Sequence, residues 1–405
     1  MSTTTTYIKK EKAQVPVLRF NEFNDLWKQH KIGEFVKDRK EVATSNAPLY
    51  SLTIEGGVVP KSKRYERSFL VKDDESAYKL VHPHDFAFNP MNLRFGALAK
   101  YKGTENVAVS KYYDIFYSND LCDADYLEYF LTSYNMIQFY NKMSTGTLEE
   151  KKRVHYLDFI HFKKLFPSLP EQKKIASFLT AVDEKIQQLT KKKALLEDYK
   201  KGVMQQLFSG KLRFKDANGN DYPDWEFPNA NVLFKSVSDK NHNSDLPILA
   251  ITQDQGAIPR ELIDYKMVVS EKSVASYKVV QVGDFIISLR SFQGGIEYSN
   301  YNGICSPAYN ILRSNSESVN SGFYKRYLKT EKYIRQLQSK LEGIRDGKMI
   351  SFKYFSEIKL PFPCEEEQQK IATYLSSIDT KIEVVNNQIT QTQQFKKGLL
   401  QQLFV

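Results

Sequence analysis

The sequence predicts an α+β fold: two mixed α/β domains joined by two long antiparallel coiled-coil helices, arranged as a pseudo-two-fold internal repeat. The segment EQKKIASFLTAVDEKI at 171–186 returns as EQQKIATYLSSIDTKI at 367–382, a spacing of 196 residues. The same spacing relates the Lys-Lys-Gly triplets at 200–202 and 396–398. Because an internal repeat fixes the layout of a chain, we predict two copies of one plan, each a domain followed by a long helix.

Composition limits the class of protein. A chain of 405 residues with 41% hydrophobic residues is long enough for two to four domains with real cores. The net charge of +10 suggests a polyanionic partner, although a basic but unremarkable protein is the alternative. Cys122, Cys305 and Cys364 show no metal-binding spacing and suit a reducing, cytoplasmic location. Since no apolar run approaches about 18 residues, we expect no membrane span.

The repeat and the proline-containing breaks ahead of each long helix set the expected boundaries. The five segments are an N-terminal arm at 1–16, a first domain at 17–170, a first spacer helix at 171–210, a second domain at 211–366 and a C-terminal spacer helix at 367–405.

Matching patterns also run through the two domains. SLTIEGGVVPK at 51–61 and AITQDQGAIPR at 250–260, 199 residues apart, each predict a strand, a turn at glycine and a second strand. The runs DFAF at 85–88 and DFII at 284–287 predict buried strands. Tyrosine- and leucine-rich stretches then predict helices near 124–142 and 321–340, and a loop with glycine and basic residues closes each domain.

The two long helices carry apolar residues at alternating steps of four and three. This sustained 3.5-residue period predicts a coiled-coil seam, and the obvious partner for each helix is the other copy. The seam residues are Ile175, Leu179, Val182, Ile186, Leu189 and Leu196 in the first helix, and Ile371, Leu375, Ile378, Ile382, Val385 and Ile389 in the second.

Two related but different domains on a fixed spacer can measure a distance. Because the chain is basic, the natural object to measure is duplex DNA, whose pitch is about 34 Å. The copies share a framework and diverge in their loops, so we expect each domain to read a different half-site. The expected target is therefore split and asymmetric.

The motifs of catalysis are absent. Asn89-Pro90 lacks the second proline and the aromatic residue of a base-holding methyltransferase loop, so a turn after a strand is the better interpretation. Gly343 to Lys348 lacks the spacing and the Ser/Thr of a phosphate-binding loop. The six histidines have no partners at metal spacing, so we predict no metal site. The chain is expected to be non-catalytic.

DNA contacts are expected from loops that combine Arg or Lys with Gln, Asn or Ser, because such side chains contact phosphates and base edges. For each candidate the alternative is a solvated surface residue. The strongest is the segment LRSFQGG at 289–295, where a strand end delivers Arg and Gln together and glycines allow close approach. The candidates are Lys61, Lys63, Arg64, Arg67, Asn92, Arg94, Lys151, Lys152 and Arg153 in the first domain, and Arg260, Arg290, Ser291, Gln293, Arg345 and Lys348 in the second.

Over nearly its whole length the chain resembles the specificity subunit of a type I restriction–modification system. The resemblance rests on the entries VLRF…Trp27 and KLRF…Trp225, the helix openings EQKKIA and EEEQQKIA, the helix endings KKG…QQLF, and the order domain, helix, domain, helix. It implies that the variable domains are target recognition domains. It also implies that the helices space them and dock two methyltransferase subunits, which restriction subunits then join.

The resemblance further implies a double-stranded DNA target with a fixed unspecific gap, methylated at adenine by the partner. S-adenosylmethionine, ATP and Mg would be bound by partner subunits, and this chain would need no cofactor. Two other functions remain open at this point: a self-contained DNA-modifying enzyme, and a coiled-coil scaffold that binds no DNA.

Overall fold

The computed structural model describes residues 15–44, 46–61, 78–243, 245–263, 274–339 and 350–404. The chain divides into two compact units. Unit 1 comprises Met1–Thr190 together with Asn387–Val405, and unit 2 comprises Lys191–Asn386. Each unit therefore contains one domain and a segment of both long helices.

Unit 1 is built on short antiparallel strands. Four of them form a sheet in the order β2-β9-β6-β7, and the others pair as β1-β10, β3-β4 and β5-β8. The strands are β1 Lys28–Lys31, β2 Val36–Asp38, β3 Tyr50–Thr53, β4 Gly57–Pro60, β5 Tyr78–Val81, β6 Phe86–Phe88, β7 Leu98–Lys100, β8 Val107–Ser110, β9 Asp114–Ser118 and β10 Lys163–Phe166.

Unit 2 repeats the four-stranded sheet and the β3-β4 and β5-β8 pairs of unit 1, with each of those strand numbers raised by nine. Its sheet has the order β11-β18-β15-β16, and its pairs are β12-β13 and β14-β17. The strands are β11 Phe234–Val237, β12 Leu249–Thr252, β13 Gly256–Pro259, β14 Lys278–Val280, β15 Phe285–Ile287, β16 Glu297–Tyr298, β17 Gly303–Cys305 and β18 Asn310–Ser314. The predicted hairpins and the buried strands of both domains are confirmed.

The helices lie between and after the strands. The first domain contains α1 Ala124–Leu131, α2 Tyr134–Met143 and α3 Tyr156–His161. The first long helix is α4 Leu169–Phe208. They are followed by α5 Ala230–Leu233, α6 Ser291–Gly294, α7 Ser321–Tyr327, α8 Glu331–Ser339, α9 Phe352–Ser356 and the second long helix, α10 Glu365–Gln402. Single 3-10 turns occur at Ile32–Glu34, Leu93–Phe95, Glu149–Lys151 and Arg260–Leu262.

The helical stretch predicted near 124–142 is two helices rather than one. Ser133 ends the first by capping the second, because its hydroxyl accepts a hydrogen bond from the backbone N–H of Met136 at 3.3 Å. The second domain has the same break between α7 and α8, where the Thr330 hydroxyl accepts from the N–H of Tyr333 at 3.3 Å.

Each unit packs its domain and its helix segments around one aromatic-rich core. In unit 1 the core joins Phe86, Phe116 and Phe159 of the domain to Leu179 of α4 and Leu403 beyond α10. The rings of Phe86 and Phe116 stack with centroids 5.0 Å apart. In unit 2 the corresponding core joins aromatic residues of the second domain to Leu207 of α4 and Leu375 of α10. The apolar stripe of each long helix is thus buried partly by a domain.

Candidate nucleic-acid interface

The start of each long helix is fixed to its domain by a buried glutamate. Glu171 accepts hydrogen bonds from Arg19 at 2.7 and 2.8 Å and from the indole N–H of Trp27 at 3.2 Å. Hydrogen bonding to Glu171 raises the pKa of Arg19. The structure makes Trp27 part of a charge-assisted clamp.

The same clamp closes unit 2. Glu367 accepts from Arg213 at 3.1 and 2.8 Å and from the indole of Trp225 at 2.8 Å. Because Glu171 and Glu367 are 196 residues apart, the repeat itself contained the signal for this clamp. Sequence reasoning missed it since nothing showed that the arginine, tryptophan and glutamate meet.

In each domain a hairpin tip lies beside the turn that follows one central strand of the sheet. That strand is β6 in unit 1 and β15 in unit 2. The tips lie between β3 and β4 and between β12 and β13. Thr53 and Thr252 shape them, since their hydroxyls accept from the N–H of Gly56 at 3.0 Å and of Gln255 at 3.1 Å. The residue after Gln255 must be a glycine. The φ of Gly256 is +76°, and a methyl group there would lie 2.6 Å from the carbonyl oxygen of Tyr298.

In unit 2 the turn is the LRSFQGG segment. Arg290 and Gln293 are exposed, as a contact residue requires, but Ser291 is buried. The Ser291 hydroxyl accepts from the backbone N–H of Ser288 at 2.9 Å, so its contacts indicate a structural role. The glycine that we expected to admit DNA instead admits protein: a methyl group on Gly295 would lie 2.3 Å from the carbonyl oxygen of Leu328.

Two residues that we did not single out complete this surface. The Gln253 side chain, on the hairpin tip, donates to the carbonyl of Arg290 at 3.3 Å. Lys329 donates to the carbonyl oxygens of Gln253 at 3.2 Å and Gly294 at 3.0 Å. Lys329 therefore joins the tip to the turn. Gln253 was findable, because it occupies the matched hairpin, whereas Lys329 follows α7 in a segment with no such pattern.

Arg260 lies at the far end of the same hairpin, in the turn after β13, and helps to line a cavity of about 190 Å³ with Tyr309. Burial raises the pKa of the Tyr309 hydroxyl, and the positive charges of Arg260 and Arg290 oppose that shift. Both arginines therefore influence the same tyrosine, and Arg260 lines the cavity beside it.

In unit 1 the turn after β6 carries Asn92 and Arg94. Asn92 is exposed, but Arg94 is only 8% exposed. Its guanidinium donates to a carboxylate oxygen of Glu149 at 2.6 Å and to the Glu149 carbonyl at 2.7 Å. Lys152 lies 2.6 Å from the same carboxylate. Lys152 first, and Arg94 second, lower the pKa of Glu149. These contacts favour a packing role for Arg94.

Four of the remaining candidates lie within the described residues. Lys151 is exposed, Lys152 and Arg153 are partly buried beside the Asn92 turn, and Lys61 is partly buried at the base of its hairpin. The candidates that lie outside the described residues are Lys63, Arg64, Arg67, Arg345 and Lys348.

The seam residues nearest the domains pack into the unit cores. Ile175, Leu179, Val182 and Ile186 belong to the core of unit 1. Ile371, Leu375, Ile378 and Ile382 belong to the core of unit 2. Of the other four, Leu189 and Val385 are buried, and Leu196 and Ile389 are partly buried.

Lysine residues interrupt this apolar stripe, and they bridge the helices. Within unit 2, Lys193 donates to Asn386 at 2.8 Å, and Lys200 lies 2.6 Å from Asp379. Since the residue number rises along one helix as it falls along the other, the two segments run antiparallel.

Across the part of the chain that the structure describes, no group of three His, Cys, Asp or Glu side chains is placed to hold a metal ion. The described helices include none that is long and apolar enough to cross a membrane.

Comparison with known proteins finds relatives that are similar in sequence and solved structures that are similar in fold. The sequence profile described as "Type I restriction modification DNA specificity domain" matches residues 226–394. The specificity subunit of the type I restriction enzyme MjaVIII of Methanocaldococcus jannaschii is 26% identical over 92% of this chain and 91% of its own length. The MjaX specificity subunit of the same organism is 27% identical over 68% of this chain, which spans 66% of that relative's length.

Two solved structures share the fold. The type I restriction–modification S subunit from M. genitalium superposes with a TM-score of 0.56 at 14% identity, over 96% of this chain and 99% of that one. A chain from a structure of the type I R-M system, described for its complex assembly and conformational transition, gives 0.52 at 16% identity, over 92% and 96%. With the repeated clamps and the matched sheets, these likenesses make the chain similar in sequence and in fold to the DNA specificity subunits of type I restriction–modification systems.

Proposed function

We propose that this chain is the DNA specificity subunit of a type I restriction–modification complex and reads an asymmetric bipartite target. The observation that carries the proposal is the pair of matched surfaces, each formed by a hairpin tip and the turn after the central strand. Their backbones correspond at a spacing of 199 residues, yet their exposed side chains differ. One framework with two sets of contact residues suits two different half-sites.

The surface of unit 2 has the chemistry of direct base readout. Arg290, Gln253 and Gln293 are exposed, and arginine and glutamine are the side chains that make bidentate contacts with guanine and adenine edges in the major groove. Lys329 holds the tip and the turn together, so the readers are preorganised. Arg260 adds positive charge on the same hairpin.

The finer parts of the proposal concern the assembly. The long helices set the unspecific gap and dock two methyltransferase subunits, and restriction subunits complete a cytoplasmic complex. This chain is non-catalytic. Adenine methylation and cleavage, with their S-adenosylmethionine, ATP and Mg, belong to the partners. The absence of a catalytic motif in the sequence and the resemblance to the family support this division.

The experiment is methylation mapping after co-expression with type I methyltransferase subunits that assemble with this chain. The double variant R290A/Q293A should weaken discrimination at one half-site by about 5- to 150-fold for each lost bidentate contact, equivalent to about 1–3 kcal/mol. The other half-site should still be read as in the wild type.

A matched control is K235A, since Lys235 is exposed on the edge strand β11, away from the turn. It should leave the mapped target unchanged. Equal loss at both half-sites in R290A/Q293A would reject the assignment of Arg290 and Gln293, and a co-expressed complex without any sequence-specific methylation would reject the function.

A further inference from the structure

We infer that the two units read their half-sites by different chemistry: unit 1 through apolar contact with thymine methyl groups, and unit 2 through hydrogen bonds to base edges. This inference rests on the proposed function and extends it to the class of base pair that unit 1 recognises. Its surface is defined by Ile54, Met91, Phe95 and Leu148, which we call the apolar reader patch.

The turns of the two units can be matched residue by residue. Each follows the central strand and ends at a glycine in the left-handed region, Gly96 with φ +97° and Gly295 with φ +83°. Each also begins with a side-chain acceptor: Asn89 accepts from the N–H of Met91 at 3.1 Å, and Ser288 from the N–H of Arg290 at 3.3 Å. All of these pairs are 199 residues apart, so the alignment needs no gap.

Side chains at matched positions differ in kind. Ile54 stands where unit 2 has Gln253, and Met91 where it has Arg290. Ile54 is 57% exposed and Met91 46%, so both reach solvent as their polar counterparts do. At these two positions unit 1 presents apolar side chains where unit 2 presents hydrogen-bonding ones.

At the third matched position the charged side chain of unit 1 is withdrawn from the surface. Arg94 corresponds to the exposed Gln293. Glu149 binds the guanidinium of Arg94 and holds it inside the domain. The same guanidinium lies 4.3 Å from the centre of the Phe95 ring. That arrangement leaves the ring of Phe95 52% exposed and the neighbouring Leu148 55% exposed. Arg94 thus supports an apolar surface and is not itself a reader.

The hairpin tip and the loop after α2 both lie against the turn that carries Met91 and Phe95. A methyl group on Gly96 would lie 3.9 Å from Cγ2 of Ile54 and 3.2 Å from Cδ1 of Ile137, so the tip of the hairpin touches the turn. Val154 donates to the carbonyl of Pro90 at 3.0 Å, which fixes the loop after α2 against the other side of the turn. Exposed apolar side chains on adjoining segments are typical of a binding surface.

The occupant follows from the position of the patch. Because the matched surface of unit 2 carries base readers, the patch faces the same ligand, duplex DNA. In the major groove the apolar feature of a base pair is the C5-methyl group of thymine, and apolar side chains contact it. Lys151, exposed in the adjoining loop, supplies a cation for the phosphates.

The test replaces thymine by deoxyuridine, one position at a time, in duplexes that carry the mapped target, and measures binding by the complex with its methyltransferase subunits. In the half-site of unit 1, at least one replacement should weaken binding about three- to fivefold, the effect of one buried methyl group. Replacements in the half-site of unit 2 should have smaller effects. The half-sites are assigned beforehand by the R290A/Q293A variant.

A variant ties the effect to the patch. In I54A/M91A, replacing thymine by deoxyuridine should no longer weaken binding, so the ratio of the two affinities should be about one. The control L121A alters a residue that is also exposed but follows β9 at the opposite end of the sheet, and it should keep the full penalty.

Specific binding that is indifferent to every thymine methyl in the unit 1 half-site would overturn the inference and leave the proposed function standing. So would a unit 1 half-site without an A·T pair, or a loss of methyltransferase assembly in I54A/M91A that is independent of DNA sequence. Since the deoxyuridine scan uses the wild-type protein, a variant that fails to fold does not prevent the test.

Discussion

At the scale of single residues, Lys329 has the largest structural role on the surface of unit 2. Besides joining Gln253 to Gly294, its ammonium group lies 2.5 Å from a carboxylate oxygen of Glu297, whose side chain is buried. Burial raises the pKa of Glu297, and Lys329 opposes the shift. A lysine that neutralises a buried acid while holding two loops cannot be replaced by an apolar residue without consequences for both.

We therefore predict that K329M destabilises the protein by about 3 kcal/mol at pH 7.5, because the Glu297 carboxylate is left buried without its cation. Without Lys329 the folded-state pKa of Glu297 rises further above its unfolded value. The folded state then binds more protons than the unfolded state, and stability falls as pH rises through that window. Urea unfolding at pH 5 should accordingly show a smaller loss than at pH 7.5.

The double variant E297Q/K329M is the control, since it removes the buried charge. It should recover much of the stability and lose the dependence on pH although the hydrogen bonds of Lys329 to the tip and the turn are absent. A K329M protein equally destabilised at both pH values would contradict this account of Glu297.

At the scale of elements, the long helices carry a repeated ion pair. Within unit 1, Lys396 lies 2.6 Å from Asp183, and within unit 2, Lys200 lies 2.6 Å from Asp379. Both residues of the pair recur at a spacing of 196. Lys200 and Lys396, which interrupt the apolar period, are thus the partners of acids on the facing helix, which favours the antiparallel register.

The two pairs differ in what else the aspartate holds. Asp379 also binds the nearly buried guanidinium of Arg326 at 2.8 Å, whereas Asp183 accepts from the hydroxyl of Tyr129 at 2.7 Å. We expect D379N to cost about 2–3 kcal/mol, because it leaves a buried charge without its partner, and D183N about 1 kcal/mol. Chemical denaturation of the two variants compares them directly. Equal losses would show that Arg326 does not depend on Asp379.

At the scale of the whole molecule, each unit is completed by segments of both long helices, so neither domain lies on a helix of its own. Unit 1 takes the start of α4 and the end of α10, and unit 2 takes the end of α4 and the start of α10. The helices are therefore components of both units, and their lengths are the natural determinant of the gap in the proposed target.

Removing facing heptads tests this role. Deleting 187–193 from α4 and 386–392 from α10 shortens each helix by about 10.5 Å and keeps the 3.5-residue period. The gap in the methylated target should shrink by about three base pairs. A deletion in α4 alone is the control: it should abolish assembly instead of changing the gap. A mapped gap that stays the same after the double deletion would remove the helices from the measurement.

The sequence by itself determined the plan of this protein, because each part of that plan is a pattern along the chain. The spacing of 196 residues revealed the two copies, the alternation of three and four revealed the long helices, and the glycines Gly57 and Gly256 marked the hairpins. Local sequence decides these features, since backbone conformation and burial repeat with the period of the element.

Only the tertiary structure decided which polar side chains are free to bind a ligand. Arg94 and Arg290 look alike in sequence, but Glu149 binds the first and the second is exposed. The Ser291 hydroxyl is hydrogen-bonded within its own turn. The hydrogen-bond partners of Lys329 are 32 to 76 residues away in the sequence. Whether a charge faces solvent or a partner depends on residues distant in sequence, and folding alone brings those together.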